Sequence, residues 1–81
     1  MKLPRNLSGA QLIKALDGLG YQATRQAGSH VRLTSFTRGE HHLTIPLHDP
    51  LRVGTLAAIL ADVAAHHKLT REQLVIALFG K

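Results

Sequence analysis

Histidine is the residue type best suited to chemistry in this chain, because imidazole can both accept and donate a proton near neutral pH. The chain has six histidines and no cysteine, so thiol catalysis, disulfides and cysteine zinc sites are excluded. The histidine spacing does not favour a metal site. His41 and His42 would point to opposite faces of a strand, and no H-x-H or H-x-x-x-H pair occurs. We therefore expect neither a metal ion nor another cofactor.

Serine offers no better nucleophile. Ser29 and His30 are neighbours in the sequence, which does not make a catalytic triad, and no G-x-S-x-G motif is present. The pair belongs to the segment Gly28-Ser29-His30, which is flanked by Arg25 and Arg32. This segment therefore surrounds one histidine with positive charge.

The charge balance points to a polyanionic partner. Ten Lys and Arg oppose five Asp and Glu, which gives a net charge of +5 with neutral histidines. Such an excess favours nucleic acid or an acidic protein. Only Tyr21, Phe36 and Phe79 are aromatic, which argues against a recognition surface built on stacked aromatics. No apolar run is long enough to span a membrane, so we expect a cytoplasmic protein with a single domain over residues 1–81.

Start signals and periodicity predict the secondary structure. Ser8 and Gln11 match a capping box for a first helix over Gly9–Leu19. Three short extended segments follow, at Tyr21–Gln26, His30–Ser35 and His41–Ile45. Their connections are too short for anything but an antiparallel meander.

Two further helices complete the predicted chain. Thr55 is expected to cap a second helix that runs to about Ala65, and Thr70 with Gln73 caps a short third helix. On the third helix, Leu74, Ala77 and Leu78 form the expected inner face. The fold class is therefore α+β, in the order α-β-β-β-α with a short C-terminal helix. Both long helices must cover one face of the sheet, which leaves the other face open.

Alternation along the strands predicts which side chains lie on that open face. Val31 and Leu33 should face the helices, so the other residues of strand two face outward. The predicted outward set of strands two and three is His30, Arg32, Thr34, His42 and Thr44. In strand one, Tyr21 and Ala23 are expected inside, Gln22, Thr24 and Gln26 outside, and Arg25 at a sheet end. An ordinary solvated polar face would show the same pattern.

Two segments together resemble a known family. Leu16–Arg32 reads L-x-x-L-G-Y-x-x-x-R-Q-x-G-S-H-V-R, and Leu43–Leu60 reads L-T-I-P-L-H-D-P-L-R-V-G-T-L-A-A-I-L. Both are similar to the HicA (YcfA-like) family of small toxins, which are the mRNA interferase partners of HicB antitoxins. The combination of the two motifs carries the resemblance, which is looser beyond Lys14–Leu60.

The resemblance implies a double-stranded-RNA-binding-like fold and a ribonuclease that acts on mRNA without a metal. Its single catalytic histidine would be His30, in the G-S-H element. A histidine can act as the base near a ribose 2′-hydroxyl, and arginines can stabilise charge on the phosphate. We expect Arg25, Gly28, Ser29, Arg32, His42 and His48 to bind RNA. His42 and His48 are the candidates for the leaving-group proton, and a HicB-like antitoxin is the expected protein partner.

Two other functions fit the same residues. The first is a non-catalytic RNA-binding module, which would read RNA shape and 2′-hydroxyls through its basic face. The second is a protein-interaction domain whose charge meets an acidic partner. Residues His66–Lys81 extend beyond many family members, so the sequence does not decide which surface binds the antitoxin.

Overall fold

The first helix forms as its start signals predict. The computed structural model of the chain describes residues 3–80, and α1 spans Gly9–Leu16 before a 3₁₀ turn over Asp17–Leu19. In the Ser8–Gln11 capping box, the Gln11 backbone N–H donates to Ser8 Oγ at 3.1 Å and the Ser8 N–H donates to Gln11 Oε1 at 2.9 Å. The predicted helix over Gly9–Leu19 is thus confirmed, with a tighter last turn.

Three antiparallel strands follow α1 in the spatial order β1-β2-β3. The strands are β1 (Gln22–Ala27), β2 (His30–Ser35) and β3 (His41–Pro46). The short connections of the sequence indicated this meander. The bounds of β2 are as predicted, β1 is shifted by one residue, and β3 is one residue longer. Tyr21 lies just before β1, while Ala27 and Pro46 end their strands.

The two C-terminal helices are α2 (Val53–His67) and α3 (Arg71–Phe79). The prediction for the ends of α2 was wrong. Arg52 is the N-cap residue, without a side-chain hydrogen bond, so Thr55 lies inside the helix. The helix also runs past Ala65, because left-handed Lys68 (φ 55°) ends it. At α3 the capping box of Thr70 with Gln73 is confirmed. The predicted order α-β-β-β-α with a short terminal helix is confirmed.

The helices enclose one core against one face of the sheet. Its largest fully buried apolar side chains come from every part of the chain: Leu12, Leu16, Tyr21, Leu33, Ile45, Leu60, Val63 and Leu74. Val31 and Leu33 point into this core as alternation predicted. The expected inner face of α3 needs one correction, because Ala77 is exposed and Val75 is buried beside Leu74. Among residues 3–80 no helix is long and apolar enough to cross a membrane.

The first strand contradicts the predicted alternation, because it contains a β-bulge. Gln22 pairs with Thr34 and Ala23 with Leu33, but the next pair is Arg25 with Arg32. Thr24 is the extra residue of the bulge, and it reverses the facing of the residues after it. Residues directly opposite each other share a face, so Arg25 joins Arg32 on the uncovered side.

One other expectation for β1 fails. Gln26 pairs with Val31 and so belongs to the helix-covered side, although it is exposed. Ala23 pairs with buried Leu33 and so faces the helices as predicted, but it is exposed, because β1 is an edge strand and every residue in it is open to solvent. We call the uncovered side the open face. It comprises Gln22, Thr24, Arg25 and Ala27 of β1, His30, Arg32 and Thr34 of β2, and His42, Thr44 and Pro46 of β3.

Candidate active site on the open face

His30 lies at one end of the open face, where a tight hairpin turn enters β2. It pairs with Ala27 on one side and Pro46 on the other, and its side chain is exposed. The core does not use this side chain. His30 is therefore a histidine held by backbone pairing on both sides while its imidazole is accessible to a ligand.

The turn before His30 is fixed from two directions. Gly28 has φ 58°, a conformation that glycine adopts without strain at the first central position of a two-residue hairpin. The Gln26 side chain donates from Nε2 to the Gly28 carbonyl at 3.1 Å. The Leu47 backbone N–H donates to the Ser29 carbonyl at 2.7 Å and so extends the pairing of β2 with β3 beyond His30. These contacts tie the G-S-H element to β1 and to the end of β3.

Two arginines lie in the next row of the sheet. Arg25 and Arg32 are directly opposite each other, and both are exposed. Among residues 3–80, no carboxylate lies within 4.0 Å of either guanidinium, since the ion pairs there all involve histidines. Like charges in opposite positions destabilise a sheet. The open face thus concentrates unneutralised positive charge one row from His30.

His42 shares the open face with His30 but lies far from it. It pairs with Thr34, which is four residues from His30 along β2, or about 13 Å. Both of its ring nitrogens have partners: Nε2 contacts Glu40 Oε2 at 2.6 Å, and Nδ1 contacts Thr34 Oγ1 at 2.9 Å. Thr34 itself is buried beneath these neighbours despite its outward position. The structure therefore does not bring His42 to the His30 end.

His48 lies at the same end of the sheet as His30. It follows Pro46, the pairing partner of His30, by two residues and is exposed. Its backbone carbonyl accepts a hydrogen bond from the Gly9 N–H at 2.9 Å, which ties this loop to the start of α1. Among the described residues, its side chain has no hydrogen-bond partner. Of the two candidate proton donors, only His48 lies near the G-S-H element.

A second histidine cluster lies on the helix-covered side, where the sequence analysis assigned none. The buried Tyr21 hydroxyl contacts His41 Nδ1 at 2.6 Å and His67 Nε2 at 2.9 Å. His41 Nε2 contacts Asp62 Oδ1 at 3.2 Å, and the His66 ring stacks on His41 with centroids 4.2 Å apart. No sequence signal could have found this cluster, because it joins the start of β3 to the end of α2.

Within residues 3–80, no group of three His, Asp or Glu side chains has the arrangement needed to hold a metal ion. The predicted opposite facing of His41 and His42 holds in the structure, since His41 pairs with buried Ser35 and His42 with Thr34 of the open face.

These features define a class of small α+β proteins with one helix-covered and one basic, open face of a three-stranded sheet. Comparison with protein families narrows the class. The family described as the HicA toxin of bacterial toxin-antitoxin systems matches residues 9–64, which is more than half of the chain. The chain belongs to this family. Its role is that of a toxin, and the family suggests an antitoxin as its partner.

The matched region contains the whole open face and most of α2. No curated protein and no solved structure was found to match the chain.

Proposed function

We propose that this protein is a metal-independent endoribonuclease that cleaves mRNA, with His30 as its catalytic base. The observation that carries the proposal is the exposed His30 on a tight hairpin, one row from two arginines that lack acidic partners within 4.0 Å among the described residues. Membership of a toxin family supports it, because a toxin needs a destructive activity or a target to block.

The proposed reaction is an intramolecular transesterification, in which the phosphorus exchanges its 5′-oxygen for the neighbouring 2′-oxygen. The His30 imidazole removes the proton of a ribose 2′-hydroxyl, and the 2′-oxygen attacks the adjacent phosphorus. A new bond forms from phosphorus to the 2′-oxygen, and the bond from phosphorus to the 5′-oxygen breaks. The products are a 2′,3′-cyclic phosphate and a 5′-hydroxyl. Arg25 and Arg32 stabilise the added charge on the phosphate oxygens as it develops.

The leaving 5′-oxygen needs a proton, and we assign this role to His48. His48 is exposed beside the pairing partner of His30, whereas His42 lies about 13 Å along the sheet with both nitrogens engaged. Gly28 and Ser29 form the turn beneath the proposed phosphate path. A glycine there lets the RNA backbone approach closely.

The protein partner in this proposal is an acidic, HicB-like antitoxin that covers the open face. A histidine on an open sheet is easily silenced by occlusion, and the excess positive charge speeds the capture of an acidic chain. Such a partner at saturation should abolish cleavage.

The decisive experiment is an RNA degradation assay with purified protein in EDTA. The wild-type protein should cleave, and His30→Ala should lose about 10²–10⁴-fold in rate, the usual contribution of a general base. The free energy of unfolding of His30→Ala should lie within about 0.5–1 kcal/mol of the wild-type value, because the His30 side chain is exposed.

His41→Ala is the matched control, since it removes a histidine from the other side of the sheet. It should keep its activity while folded but lose stability, because the Tyr21 hydroxyl loses a partner at 2.6 Å. Cleavage of RNA by His30→Ala at the wild-type rate would overturn the assignment of His30 as the catalytic base. Binding of RNA without any cleavage by the wild-type protein would favour the non-catalytic RNA-binding module instead.

A second arm tests His48. His48→Ala should cleave a normal RNA slowly, and a substrate whose 5′-oxygen is replaced by sulfur should largely restore its rate, because a thiolate leaves without a proton. His30→Ala should not be rescued by that substrate. Equal defects on both substrates would contradict the role of His48 as a proton donor.

A further inference from the structure

The open face carries a cavity at the end opposite His30. The cavity has a volume of about 450 Å³. Its lining residues come from the start of β1, the end of β2 and the residues that flank them: Gly20, Gln22, Thr24, Thr34, Phe36 and Thr37. Phe36 is its one aromatic residue, and 71% of its surface is exposed. An aromatic ring with that exposure contributes little to the core, so its position calls for another explanation.

The position of Phe36 follows from the end of β2. Ser35 is the last residue of the strand and is buried on the helix-covered side. The next residue along the chain therefore emerges on the open face, next to Thr34. The same alternation that presents His30 and Arg32 to a ligand thus also presents the Phe36 ring.

We propose that this cavity binds one unstacked base of the RNA strand, with the Phe36 ring as its stacking surface. The proposal rests on the ribonuclease function proposed above and adds a site that selects where the strand is cut. Base stacking on one aromatic ring is a common device for holding single-stranded RNA. Three aromatic residues are too few for a surface of stacked rings, as the sequence indicated, but one ring is enough for one base.

The polar wall of the cavity is ordered by a chain of hydrogen bonds. His42 Nε2 donates to Glu40 Oε2 at 2.6 Å, because a carboxylate can only accept. His42 Nδ1 lies 2.9 Å from Thr34 Oγ1, and Thr34 Oγ1 lies 3.1 Å from Thr24 Oγ1.

These hydrogen bonds limit what the wall can offer to a ligand. Thr24 Oγ1 lies 3.1 Å from Thr34 Oγ1 and 3.4 Å from the Arg32 carbonyl oxygen, so its hydroxyl is already engaged within the sheet. The Gln22 amide offers both a donor and an acceptor. The polar edge of a nucleobase, which carries donors and acceptors, matches this amide.

The distance to His30 makes the cavity a separate subsite. Phe36 is six residues from His30 along the β2 direction, or about 20 Å, with the Arg25–Arg32 pair between them. One nucleotide cannot reach both ends. A strand with its base at Phe36 and its phosphates over the arginines would place a different, defined linkage at His30. The positive charge of the open face favours a nucleic acid as the occupant.

The experiment combines binding with the mapping of cleavage positions. Wild-type protein is titrated with single-stranded RNAs that carry 2-aminopurine at one position at a time and a 2′-deoxynucleotide at the cleavage site. Stacking on Phe36 should quench the fluorescence at one position at a fixed distance from the cleaved linkage. In Phe36→Ala that quenching should disappear, and cleavage should spread to other linkages.

The variants set the expected magnitudes. Phe36→Ala should weaken RNA binding roughly 5–150-fold, since stacking of one base is worth about 1–3 kcal/mol. Phe36→Tyr, which keeps the ring, should bind like wild type. Val53→Ala is the control, because Val53 is equally exposed at 71% but begins α2, outside the open face.

Three outcomes would overturn the base site. In the first, Phe36→Ala binds and cleaves RNA as the wild type does. In the second, 2-aminopurine fluorescence is quenched at no position of the RNA. Alternatively, Phe36→Ala could lose the antitoxin while its cleavage positions stay the same, which would assign the ring to the protein partner. The proposed nuclease fails separately, when wild-type protein cleaves no RNA. In that case RNA without the 2′-deoxynucleotide also stays intact during the titration. Quenching of 2-aminopurine fluorescence then still shows whether the cavity holds a base.

Discussion

Tyr21 shares one buried hydroxyl between two histidines, with His41 Nδ1 at 2.6 Å and His67 Nε2 at 2.9 Å. Asp62 Oδ1 accepts from His41 Nε2 at 3.2 Å, because a carboxylate can only accept. Ionisation of Tyr21 or protonation of His67 would place a charge inside this buried cluster.

The first prediction is that this cluster makes the free energy of unfolding decrease at both high and low pH. Burial, and secondarily Asp62, raises the pKa of Tyr21 from 10.0 to about 12. Burial lowers the pKa of His67 below its usual 6.5, with further contributions from His66, His41 and Arg38. As pH rises above 10, the unfolded chain loses the tyrosine proton first, and as pH falls below 6.5, it gains the histidine proton first. Stability should decline in both directions.

Urea unfolding across the pH range measures both limbs. Tyr21→Phe should flatten the decline above pH 10, because no phenol is left to ionise. His67→Gln should flatten the decline below pH 6.5 in the same way. If the two variants keep the limbs of the wild-type profile, other groups set the pH dependence.

At the scale of elements, the start of α1 is packed directly on the loop that carries His48. The Gly9 N–H donates to the His48 carbonyl at 2.9 Å. A Cβ added at Gly9 would collide with the carbonyl oxygen of Pro46. This close approach requires glycine, and it links the position of a helix to the geometry of the proposed proton donor.

The second prediction concerns that contact. Gly9→Ala should destabilise the fold by about 1–3 kcal/mol, since backbone must move to make room. It should also slow RNA cleavage, because the moved loop carries His48. Gly18→Ala is the control, with nothing within 4 Å of the added Cβ, and it should stabilise the fold by about 0.4–1 kcal/mol. Thermal melting and the cleavage assay measure both effects. Equal melting temperatures for the two variants would contradict the close packing.

Regular elements were predictable from the sequence because their signals are local. The capping boxes at Ser8 and Thr70 lie within four residues, and alternation placed Val31 and Leu33 inside correctly. The bulge at Thr24 was not predictable, since no glycine or proline marks it. It alone carries Arg25 from the expected sheet end onto the open face.

The candidate site divides in the same way. His30 and Arg32 share a strand, so their common face could be predicted from alternation. The position of His48 near His30 depends on a loop anchored to α1, and the Tyr21 cluster depends on contacts between residues 20 to 46 positions apart. Such contacts form only when the whole chain packs, so no short pattern records them.

At the scale of the whole molecule, the net charge of +5 is distributed so that part of it opposes folding. Arg25 and Arg32 repel each other across β1 and β2, and no carboxylate among the described residues relieves them within 4.0 Å. A bound polyanion would neutralise this repulsion. We therefore expect a bound polyanion to stabilise the open face.

The third prediction follows from that repulsion. Arg32→Gln should stabilise the free protein by about 0.2–1 kcal/mol, because an unfavourable cross-strand pair is removed. The same variant should bind RNA more weakly and reduce the slope of log affinity against log salt by about 1. Arg71→Gln removes a charge from α3 and should leave that slope nearly unchanged. Denaturation and salt titrations measure the two effects, and an unchanged slope in Arg32→Gln would move the RNA away from this pair.

The exposure of His30 has a consequence for how the proposed toxin would evolve. If the open face carries out the proposed cleavage, a cell that loses its antitoxin can survive through a substitution there that disables the toxin while the chain still folds. A single substitution leaves the rest of the open face unchanged, so the disabled protein would still capture the proposed antitoxin. It would then compete with intact toxins for the inhibitor and so release them. A population selected for survivors should therefore contain folded, inactive alleles altered near His30 alongside alleles that no longer fold, and the two kinds should have opposite effects on a neighbouring intact toxin.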